Sequence, residues 1–276
     1  MSCASSAGSP RPSSVEIAGA SAPSLDSVEQ PAQDQASKLP PIKIATFNIQ
    51  VFGRTKSQKP EILRALAEIV RKYDVVAIEE VNDSSGEAPK RLLDAVNAAA
   101  ERTYAMLLSP HSGEQPNDRA SQEQYAIMYD TARIQTLGVA GGSEQLYDDA
   151  LADNFQREPY VAHLGVKEGN FTFLLIVIHT QPSGAVVEIG ALHDVVLWAK
   201  EAFPREDDFI VLGDFNAGCR YASPAQLDHL ALRGAEYLWI VPDTSDSNVS
   251  SSSACAYDRI VTTISTAADF TGRWCV

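Results

Sequence analysis

The stretch that most directly suggests chemistry is Asp208–Cys219, DFIVLGDFNAGC. Its apolar run is short enough to be a buried strand, and it stops at a glycine. A carboxylate, Asp214, and an amide, Asn216, follow, and residues two apart on an extended chain point the same way. We therefore expect both side chains to face one point, with Phe215 turned into the core. The functional interpretation is a site for phosphate, metal or water, and the structural alternative is a polar strand-to-loop turn.

Other polar residues also lie at or near the ends of apolar strands. The full set is Asn48, Glu80, His179, Asp214, Asn216 and Asp258. Because packed strands share their ends, we expect these side chains to converge on one pocket. Glu80 is a hard oxygen ligand suited to Mg²⁺ or Ca²⁺, whereas the sequence has no Cys/His spacing typical of zinc. His179 follows a buried strand and precedes a turn, which suits a general acid or base that a carboxylate orients.

From Pro41 the chain alternates strands with a few long helices. Strands are predicted at 42–49, 74–78, 104–108, 125–129, 135–140, 160–166, 171–178, 209–212, 237–241 and 257–264. Helices are predicted from Pro60, over 87–101 and 184–201, and around 224–232, with loops at 145–154 and 245–253. Many strands with few long helices favour an α/β fold of two packed sheets with outer helices over one doubly wound sheet.

Composition indicates an ordinary globular protein with a strongly acidic balance. The 276 residues are 45% hydrophobic and 21% charged, and the formal net charge is −14. Such a charge opposes non-specific attraction to nucleic acid or to an anionic membrane, since both depend on Lys and Arg. Phosphate chemistry on this chain would therefore require divalent cations and a few well-placed arginines.

Residues 1–40 are expected to form a disordered tail ahead of a single domain at 41–276. The tail is rich in Ser, Ala, Pro and Gln and has no aromatic residue, so it cannot bury enough apolar surface to order itself. It lacks the apolar run of a secretory signal, and no segment is long and apolar enough to span a membrane. Cys3 and the polar residues after it resemble the start of a mature bacterial lipoprotein, which would carry lipid on that cysteine. The alternative is a stray cysteine in a tail.

The core from Ile42 to about Asp269 resembles the deoxyribonuclease I family, within the wider endonuclease/exonuclease/phosphatase superfamily. The segments that carry the resemblance are KIATFNIQ at 43–50, EV at 80–81, FQREP at 155–159, IHT at 178–180, VEIGAL at 187–192, GDFNAGC at 213–219 and CAYDRIV at 255–261. The resemblance implies a four-layer α-β-β-α sandwich of two mixed sheets. It also implies a metal-dependent endonuclease that hydrolyses DNA phosphodiester bonds.

The resemblance implies a metal ligand and an acid/base pair. Glu80, helped by Asn48, would hold a divalent metal against the scissile phosphate. His179 would act as one of two acid/base histidines and would be oriented by Glu123. Taken singly, His179 also fits a capped loop histidine and Glu123 an exposed strand residue. The implied cofactor is Mg²⁺, with Mn²⁺ as a substitute and Ca²⁺ in a structural role.

The remaining implied roles concern substrate and transition state. Asp214 and Asn216 would position metal, water or phosphoryl oxygens. Arg157 would contact the DNA backbone and Tyr257 a nearby phosphate. Asp258 would orient the second histidine, although singly it also fits a salt-bridge partner of the next residue. The other histidines match no catalytic position of the family and are interpreted as surface or packing residues: His111, His163, His193 and His229.

The cysteines bear on the cellular compartment. Cys219 and Cys255 match the positions of the family's structural disulfide, which implies an oxidising environment and an extracytoplasmic or secreted protein. Two reduced cysteines in a cytosolic protein are the alternative. Cys3 and Cys275 are left over.

We expect a monomer with DNA as its substrate.

The sequence departs from the family pattern in two respects. Asn82 stands where the family has an arginine, and the region of Ser121 replaces a tyrosine, so contacts with the DNA minor groove are expected to differ. In addition, the family's final Ser-Asp-His strand has no counterpart in the 276 residues. Asp258 then has no histidine to orient, activity is expected to be impaired, and one sheet is expected to lack its last strand. The alternatives are an inactive nucleic-acid- or metal-binding homologue, and a phosphatase or lipid phosphodiesterase of the same superfamily.

Overall fold

The computed structural model describes residues 13–17, 40–99, 101–113, 122–137, 144–148 and 153–276. The strands in these ranges are β1 (Ser13–Ile17), β2 (Ile42–Phe52), β3 (Val75–Val81), β4 (Tyr104–Leu108), β5 (Gln124–Asp130), β6 (Ile134–Thr136), β7 (Glu144–Leu146), β8 (Tyr160–Val166), β9 (Thr172–His179), β10 (Phe209–Asp214), β11 (Tyr237–Trp239), β12 (Asp258–Thr263) and β13 (Phe270–Cys275). The helices are α1 (Arg54–Ser57), α2 (Pro60–Val70), α3 (Glu87–Asn97), α4 (Ala185–Ala202), α5 (Pro224–Leu227) and α6 (Ile264–Ala267). None of the helices described is long and apolar enough to cross a membrane.

These elements form the expected four-layer α-β-β-α sandwich. One sheet has the order β13-β1-β2-β3-β5-β4, and the other β11-β12-β10-β9-β8-β6 with β7 also beside β8. Apolar residues from the facing sides of both sheets form the central core, represented by Ile44 and Leu175. The outer face of the first sheet packs on α2 and α3 through residues such as Leu66 and Leu92. The outer face of the second packs on α4, for example through Leu192.

Both sheets are mixed, and their parallel pairs bring the predicted polar strand ends together. β2 runs parallel to β3, and β9 runs parallel to β10. The carboxyl ends of parallel neighbours lie at the same edge of a sheet. The ends of β2, β3, β9 and β10 carry Asn48, Glu80, His179 and Asp214. The fold therefore supplies the convergence that the sequence pattern predicts.

Most predicted elements are confirmed, with differences at their ends. The helix predicted over 87–101 stops at Asn97, because its side chain exchanges two hydrogen bonds with the backbone of Tyr104 and turns the chain. The loop predicted at 145–154 begins as the short strand β7, which pairs with β8. Part of that loop, and the last three residues of the strand predicted at 135–140, lie outside the described residues.

The tail prediction is wrong for Ser13–Ile17. These residues form β1, which pairs with β2 on one side and β13 on the other. Val15 is buried in the central core, and backbone pairing with the edge of β2 orders this part of a tail that is otherwise rich in polar residues. The remainder of residues 1–40, including Cys3, lies outside the described residues apart from the last. The expectation that a sheet lacks its last strand is also wrong at this edge, because β2 is paired with a strand on both sides.

Candidate active site

A close approach of β9 and β10 sets the frame of the site. Gly213 has φ +143°, and a Cβ placed there would lie 1.8 Å from the carbonyl oxygen of Ile178. Only glycine allows this contact. The approach leaves Asp214 paired with His179 across the parallel ladder and with Asp258 across the antiparallel ladder to β12. Three ionisable groups from three strands thus become immediate neighbours.

His179 is held by a carboxylate, as the resemblance implies. Its Nδ1 lies 2.8 Å from Glu123 Oε2, and Glu123 is positioned by a backbone bridge to Ser112. The backbone N–H of His179 donates to the hydroxyl of Tyr125. Because Nδ1 faces Glu123, Nε2 is left to face Asp214, with 3.9 Å between Nε2 and Oδ2. This is the arrangement of an oriented acid/base histidine.

The charges around this pair shift both pKa values toward the ionised forms. Burial acts to lower the pKa of His179, but the hydrogen bond that its ring donates to Glu123 and the charge of Asp214 outweigh it, so the pKa is raised above its ordinary value. Burial acts to raise the pKa of Glu123, but the bond to His179 and the charges of His179 and Arg157 outweigh it, so the pKa is lowered. The site therefore favours an imidazolium beside a carboxylate.

Asn48 links the two carboxylates at the centre of the site. Its Nδ2 donates to Glu80 Oε1 at 2.8 Å and to Asp214 Oδ2 at 3.0 Å, while its Oδ1 accepts the backbone N–H of Gln50 at 2.9 Å. The register between β2 and β3 shifts just after Asn48. Such irregularities re-aim side chains near active sites. Asn48 thus fixes the orientation of both carboxylates toward a common space.

Glu80 sits in a strained part of the backbone. Glu80 has φ 60°, and the facing turn contains Gln50 at φ 55° and Val51 at φ 48°. A β-branched residue at positive φ is a genuine outlier, and such strain concentrates at functional sites. The turn is held by Lys56, whose Nζ donates to the carbonyl oxygens of Ile49 and Gln50. The backbone N–H of Val51 donates to Glu80 Oε2 at 2.7 Å.

These residues open onto a cavity of about 140 Å³ that is lined largely by oxygen-bearing side chains. Its walls include Asn48, Glu80, Asp214, Tyr257 and Asp258. Burial raises the pKa of Asp258 well above its ordinary value, and the charge of Asp214 raises it further. Nearby like charges disfavour ionisation, so a cation or a protonated donor in this cavity would relieve the repulsion. Tyr257 lines the cavity, and its expected contact with a phosphate stays a prediction.

Asn216 does not face the cavity in the way predicted. It has φ 47°, so the alternation of an extended strand breaks before it. Its Nδ2 donates to the carbonyl oxygen of Thr180 at 2.9 Å, and its N–H donates to Asp214 Oδ1 at 2.9 Å. Phe215 is buried in the core, as predicted. Asn216 therefore ties β10 to the residue after His179 and orients Asp214.

The side chain of Arg157 is buried next to the backbone of His179 and is not exposed on the surface. Its Nε donates to the carbonyl oxygen of His179 at 3.0 Å, and its Nη2 to that of Thr180 at 3.3 Å. Its Nε also lies 3.6 Å from Glu123 Oε2. Its position gives Arg157 a direct part in holding the histidine pair. The expected contact with the DNA backbone stays a prediction.

The disulfide implied by the resemblance is present between Cys219 and Cys255, with 5.7 Å between the Cα atoms. It closes a loop of 36 residues between the segment after Asp214 and the segment before Asp258. In the chain-entropy model such a loop stabilises the fold by roughly 4 kcal/mol. The crosslink thus joins the two chain segments that deliver adjacent carboxylates to the site. Within the described residues, Cys275 is not part of a disulfide.

The donors present fit a hard divalent cation that also uses water and substrate oxygens. Glu80 and Asp214 supply carboxylates that Asn48 holds toward the same cavity. No three His, Cys, Asp or Glu side chains among the described residues form a ready-made cage. Mg²⁺ binds through one or two carboxylates, several waters and substrate phosphates. The donor set suits that mode of binding.

Three supporting residues escaped prediction from the sequence. Tyr125 accepts the backbone N–H of His179, and the carbonyl oxygen of Thr180 accepts from both Arg157 and Asn216. Glu188 lies on the apolar face of α4, where the helix pattern places only packing residues. The signal in the sequence that could have identified Glu188 is a carboxylate at a helical position where the pattern predicts a buried apolar residue. Tyr125 lies next but one to Glu123, which was predicted.

A larger groove of about 970 Å³ adjoins this site. Asn82, two residues after Glu80, and Gln122, next to Glu123, both line it. Arg54 and Arg91 place two positive charges on its walls, and Asp83 and Glu87 place two carboxylates there. Ser121, whose region replaces the family tyrosine, lies outside the described residues.

Comparison with known proteins shows the family of the chain. Residues 45–275 match the Endonuclease/Exonuclease/phosphatase family. Deoxyribonuclease-1 of Bos taurus is 35% identical over 230 residues, which covers 80% of this chain and 76% of that protein. Deoxyribonuclease-1 of Homo sapiens is 34% identical over 229 residues, with the same coverage.

Two solved structures share the fold at lower identity. An endonuclease/exonuclease/phosphatase family protein from Bacteroides thetaiotaomicron has a TM-score of 0.53 at 12% identity and covers 92% of this chain and 83% of its own. A mannosyl-6-phosphatase from the same organism has a TM-score of 0.53 at 14% identity and covers 80% and 84%. These likenesses concern the fold alone.

The four-layer sandwich and the acid/base cluster at its strand ends define a hydrolytic enzyme. The chain belongs to the Endonuclease/Exonuclease/phosphatase family and is a deoxyribonuclease I-like hydrolase of phosphodiester bonds.

Proposed function

We propose that this protein is a divalent-metal-dependent endonuclease that hydrolyses the phosphodiester bonds of DNA. The observation that carries the proposal is the position of His179, held by Glu123 on one ring nitrogen and facing Asp214 with the other, beside the cavity of Glu80. The identity with mammalian deoxyribonuclease-1 supports DNA as the substrate. The groove with Arg54 and Arg91 offers a place for the flanking strand.

In this mechanism the side chains orient water and move a proton. Glu80, with Asn48 beside it, would hold Mg²⁺ or Mn²⁺, which would neutralise charge on the phosphate oxygens. As the attacking water bonds to phosphorus, the neutral His179 takes a proton from that water through Nε2, and Glu123 stabilises the imidazolium that results. The bond between phosphorus and the leaving oxygen breaks, and that oxygen takes a proton from the carboxyl of Asp258. Asp214 orients water on the same side of the ring, and Arg157 and Asn216 hold the backbone on which His179 stands.

The Ser-Asp-His motif is absent from the 276 residues, and the lining of the cavity in the described part of the chain includes no histidine. A general acid or base contributes about 10² to 10⁴-fold. We therefore propose that this chain cleaves DNA slowly, with the protonated carboxyl of Asp258 as the neighbouring donor. We further propose a structural Ca²⁺, a monomer, and export to an oxidising compartment, to which the disulfide points. Lipid on Cys3, which precedes β1 in the sequence, is part of the same proposal.

The test is nicking of supercoiled plasmid with Mg²⁺ plus Ca²⁺, with and without a chelator. We expect slow nicking that the chelator abolishes and that Glu80→Gln lowers at least about tenfold, together with weaker Mg²⁺ binding in calorimetry. Glu61→Gln, an exposed carboxylate on α2, is the matched control. If folded protein does not nick plasmid but hydrolyses a phosphomonoester or a phospholipid, the DNA assignment is wrong. Metal binding without hydrolysis of any of these would identify an inactive homologue.

A further inference from the structure

The helix α4 buries a carboxylate that the proposed mechanism does not use. Glu188 is 2% exposed and lies on the face of α4 that packs against the second sheet. Burying an ionisable group among apolar side chains is costly unless it is hydrogen-bonded. Within the described residues Glu188 forms no salt bridge, and its Oε2 has no hydrogen-bond partner. A leucine at this position would pack without that cost, so the carboxylate requires an explanation.

The other oxygen of Glu188 joins two loops that flank His179. Oε1 accepts the backbone N–H of Gln156 at 3.3 Å and that of Gln181 at 3.2 Å. Gln156 directly precedes Arg157, and Gln181 lies two residues after His179. One oxygen therefore connects the segment that carries the arginine to the segment that follows the histidine.

The same two segments meet again through the arginine itself. Arg157 donates to the carbonyl oxygens of His179 and Thr180 and lies 3.6 Å from Glu123. A displacement of the Gln156 loop would move this guanidinium away from both carbonyls. Glu188 thus holds the loops on either side of the contacts of Arg157, and those contacts in turn hold the ring of His179 against Glu123.

We propose that Glu188 is a positioning residue that clips the Gln156 and Gln181 loops together and thereby holds Arg157, His179 and Glu123 in their reactive arrangement. It touches no reacting atom. The proposal adds a residue to the function proposed above and rests on that function only for its kinetic readout. The hydrogen bonds themselves can be tested without any activity.

Two conservative substitutions separate the clip from simple packing. Glu188→Asp draws the carboxylate back by one methylene and should break at least one of the two bonds. Glu188→Gln keeps an acceptor oxygen at the same place. In Glu188→Asp we expect faster amide exchange at Gln156 and Gln181, a weakened NMR signal of the His179 Nδ1 proton, and kcat for plasmid nicking lowered about tenfold with KM within about twofold. In Glu188→Gln we expect both the signal and kcat to stay within about threefold of the parent.

The results that overturn the proposal are equally defined. Unchanged exchange in Glu188→Asp shows that no clip exists, and faster exchange with an unchanged histidine signal and kcat shows that the clip serves only the fold. If Glu188→Asp does not fold, the folded Glu188→Gln variant decides. Loss of the His179 Nδ1 proton signal in that variant overturns the proposal that an acceptor oxygen at this position is sufficient, and retention of the signal supports the proposal. If the parent chain does not nick DNA, the proposed function fails while exchange and the histidine signal still decide on Glu188.

Discussion

His179 and Asp214 are register partners on adjacent parallel strands, and Nε2 of the first lies 3.9 Å from Oδ2 of the second. Parallel partners at the carboxyl ends of their strands point into the same crevice, which is where α/β folds place their ligands. The opposite ring nitrogen is taken by Glu123. The pair therefore sets the second imidazole nitrogen against a carboxylate that lines the cavity.

Removal of the histidine should abolish most of the catalysis. We expect His179→Gln to lower kcat about 10² to 10⁴-fold, because an acid/base group is lost. His163→Gln is the matched control, since His163 lies 2.9 Å from Glu206 in a similar pair that does not line the cavity. Steady-state nicking rates measure the effect. Equal losses in both variants would point to a fault of folding rather than of chemistry.

The paired carboxylate should act through the histidine rather than independently. We expect Glu123→Gln to lower kcat, and the double variant with His179→Gln to be no worse than His179→Gln alone, since both disrupt one unit. A double-mutant cycle on kcat measures this coupling. Additive losses would show that Glu123 has a separate role.

The glycine between the strands should tolerate no side chain. Gly213→Ala would place Cβ 1.8 Å from the Ile178 carbonyl oxygen at φ +143°, so we expect a loss of more than about 3 kcal/mol of stability, or no folding. Gly190→Ala on α4 meets only Leu230 Cδ2 at 3.5 Å and should be neutral or stabilising by up to about 1 kcal/mol. Urea unfolding distinguishes the two. A stable Gly213→Ala protein would contradict the close approach of β9 and β10.

Loss of the disulfide should destabilise the folded protein. We expect the Cys219→Ser, Cys255→Ser double variant to lose roughly 4 kcal/mol in unfolding free energy, because the denatured chain gains the freedom of the opened loop. Dithiothreitol should reproduce this loss in the parent and have no effect on the double variant. An insensitive parent would show that the crosslink is not formed in solution.

Stability should fall as pH rises through the range of Glu188. Burial raises its pKa to about 7 from 4.5, although backbone hydrogen bonds from Gln181 and Gln156 and the charges of Arg157 and His179 oppose the rise. The folded state therefore binds more protons than the unfolded state between about pH 4.5 and 7, so unfolding free energy decreases with pH there, by on the order of 3 kcal/mol at most. Tyr125 also faces this carboxylate. Glu188→Gln should reduce the slope of unfolding free energy against pH in this range. An unchanged slope would contradict the prediction.

The groove beside the site should account for the salt dependence of DNA binding. We expect Arg54→Ala and Arg91→Ala each to weaken binding and to lower the slope of log affinity against log salt by about 1, because each removes a phosphate contact. Lys72→Ala makes the same charge change at an exposed position outside the groove lining and should leave the slope unchanged. Titrations of a labelled duplex at several salt concentrations provide the measurement. Equal slopes in all three variants would place the DNA elsewhere.

Local pattern in the sequence was sufficient for the strands, the long helices and most of the site. Apolar runs ending at Asn48, Glu80, His179 and Asp214 predict both buried strands and polar ends, because alternation and burial are properties of neighbouring residues. The resemblance then implied Glu123 as the partner of His179, and the structure joins the two.

Only the tertiary structure decided which polar groups face the cavity and which act from behind. Asn216 turns away because its backbone is left-handed, and Arg157 is buried because two carbonyl oxygens capture its guanidinium. The order of Ser13–Ile17 and the clip formed by Glu188 likewise depend on partners far away in the chain. The physical reason is that single hydrogen bonds between distant segments leave no periodicity in the sequence, whereas burial of a strand or a helix face does.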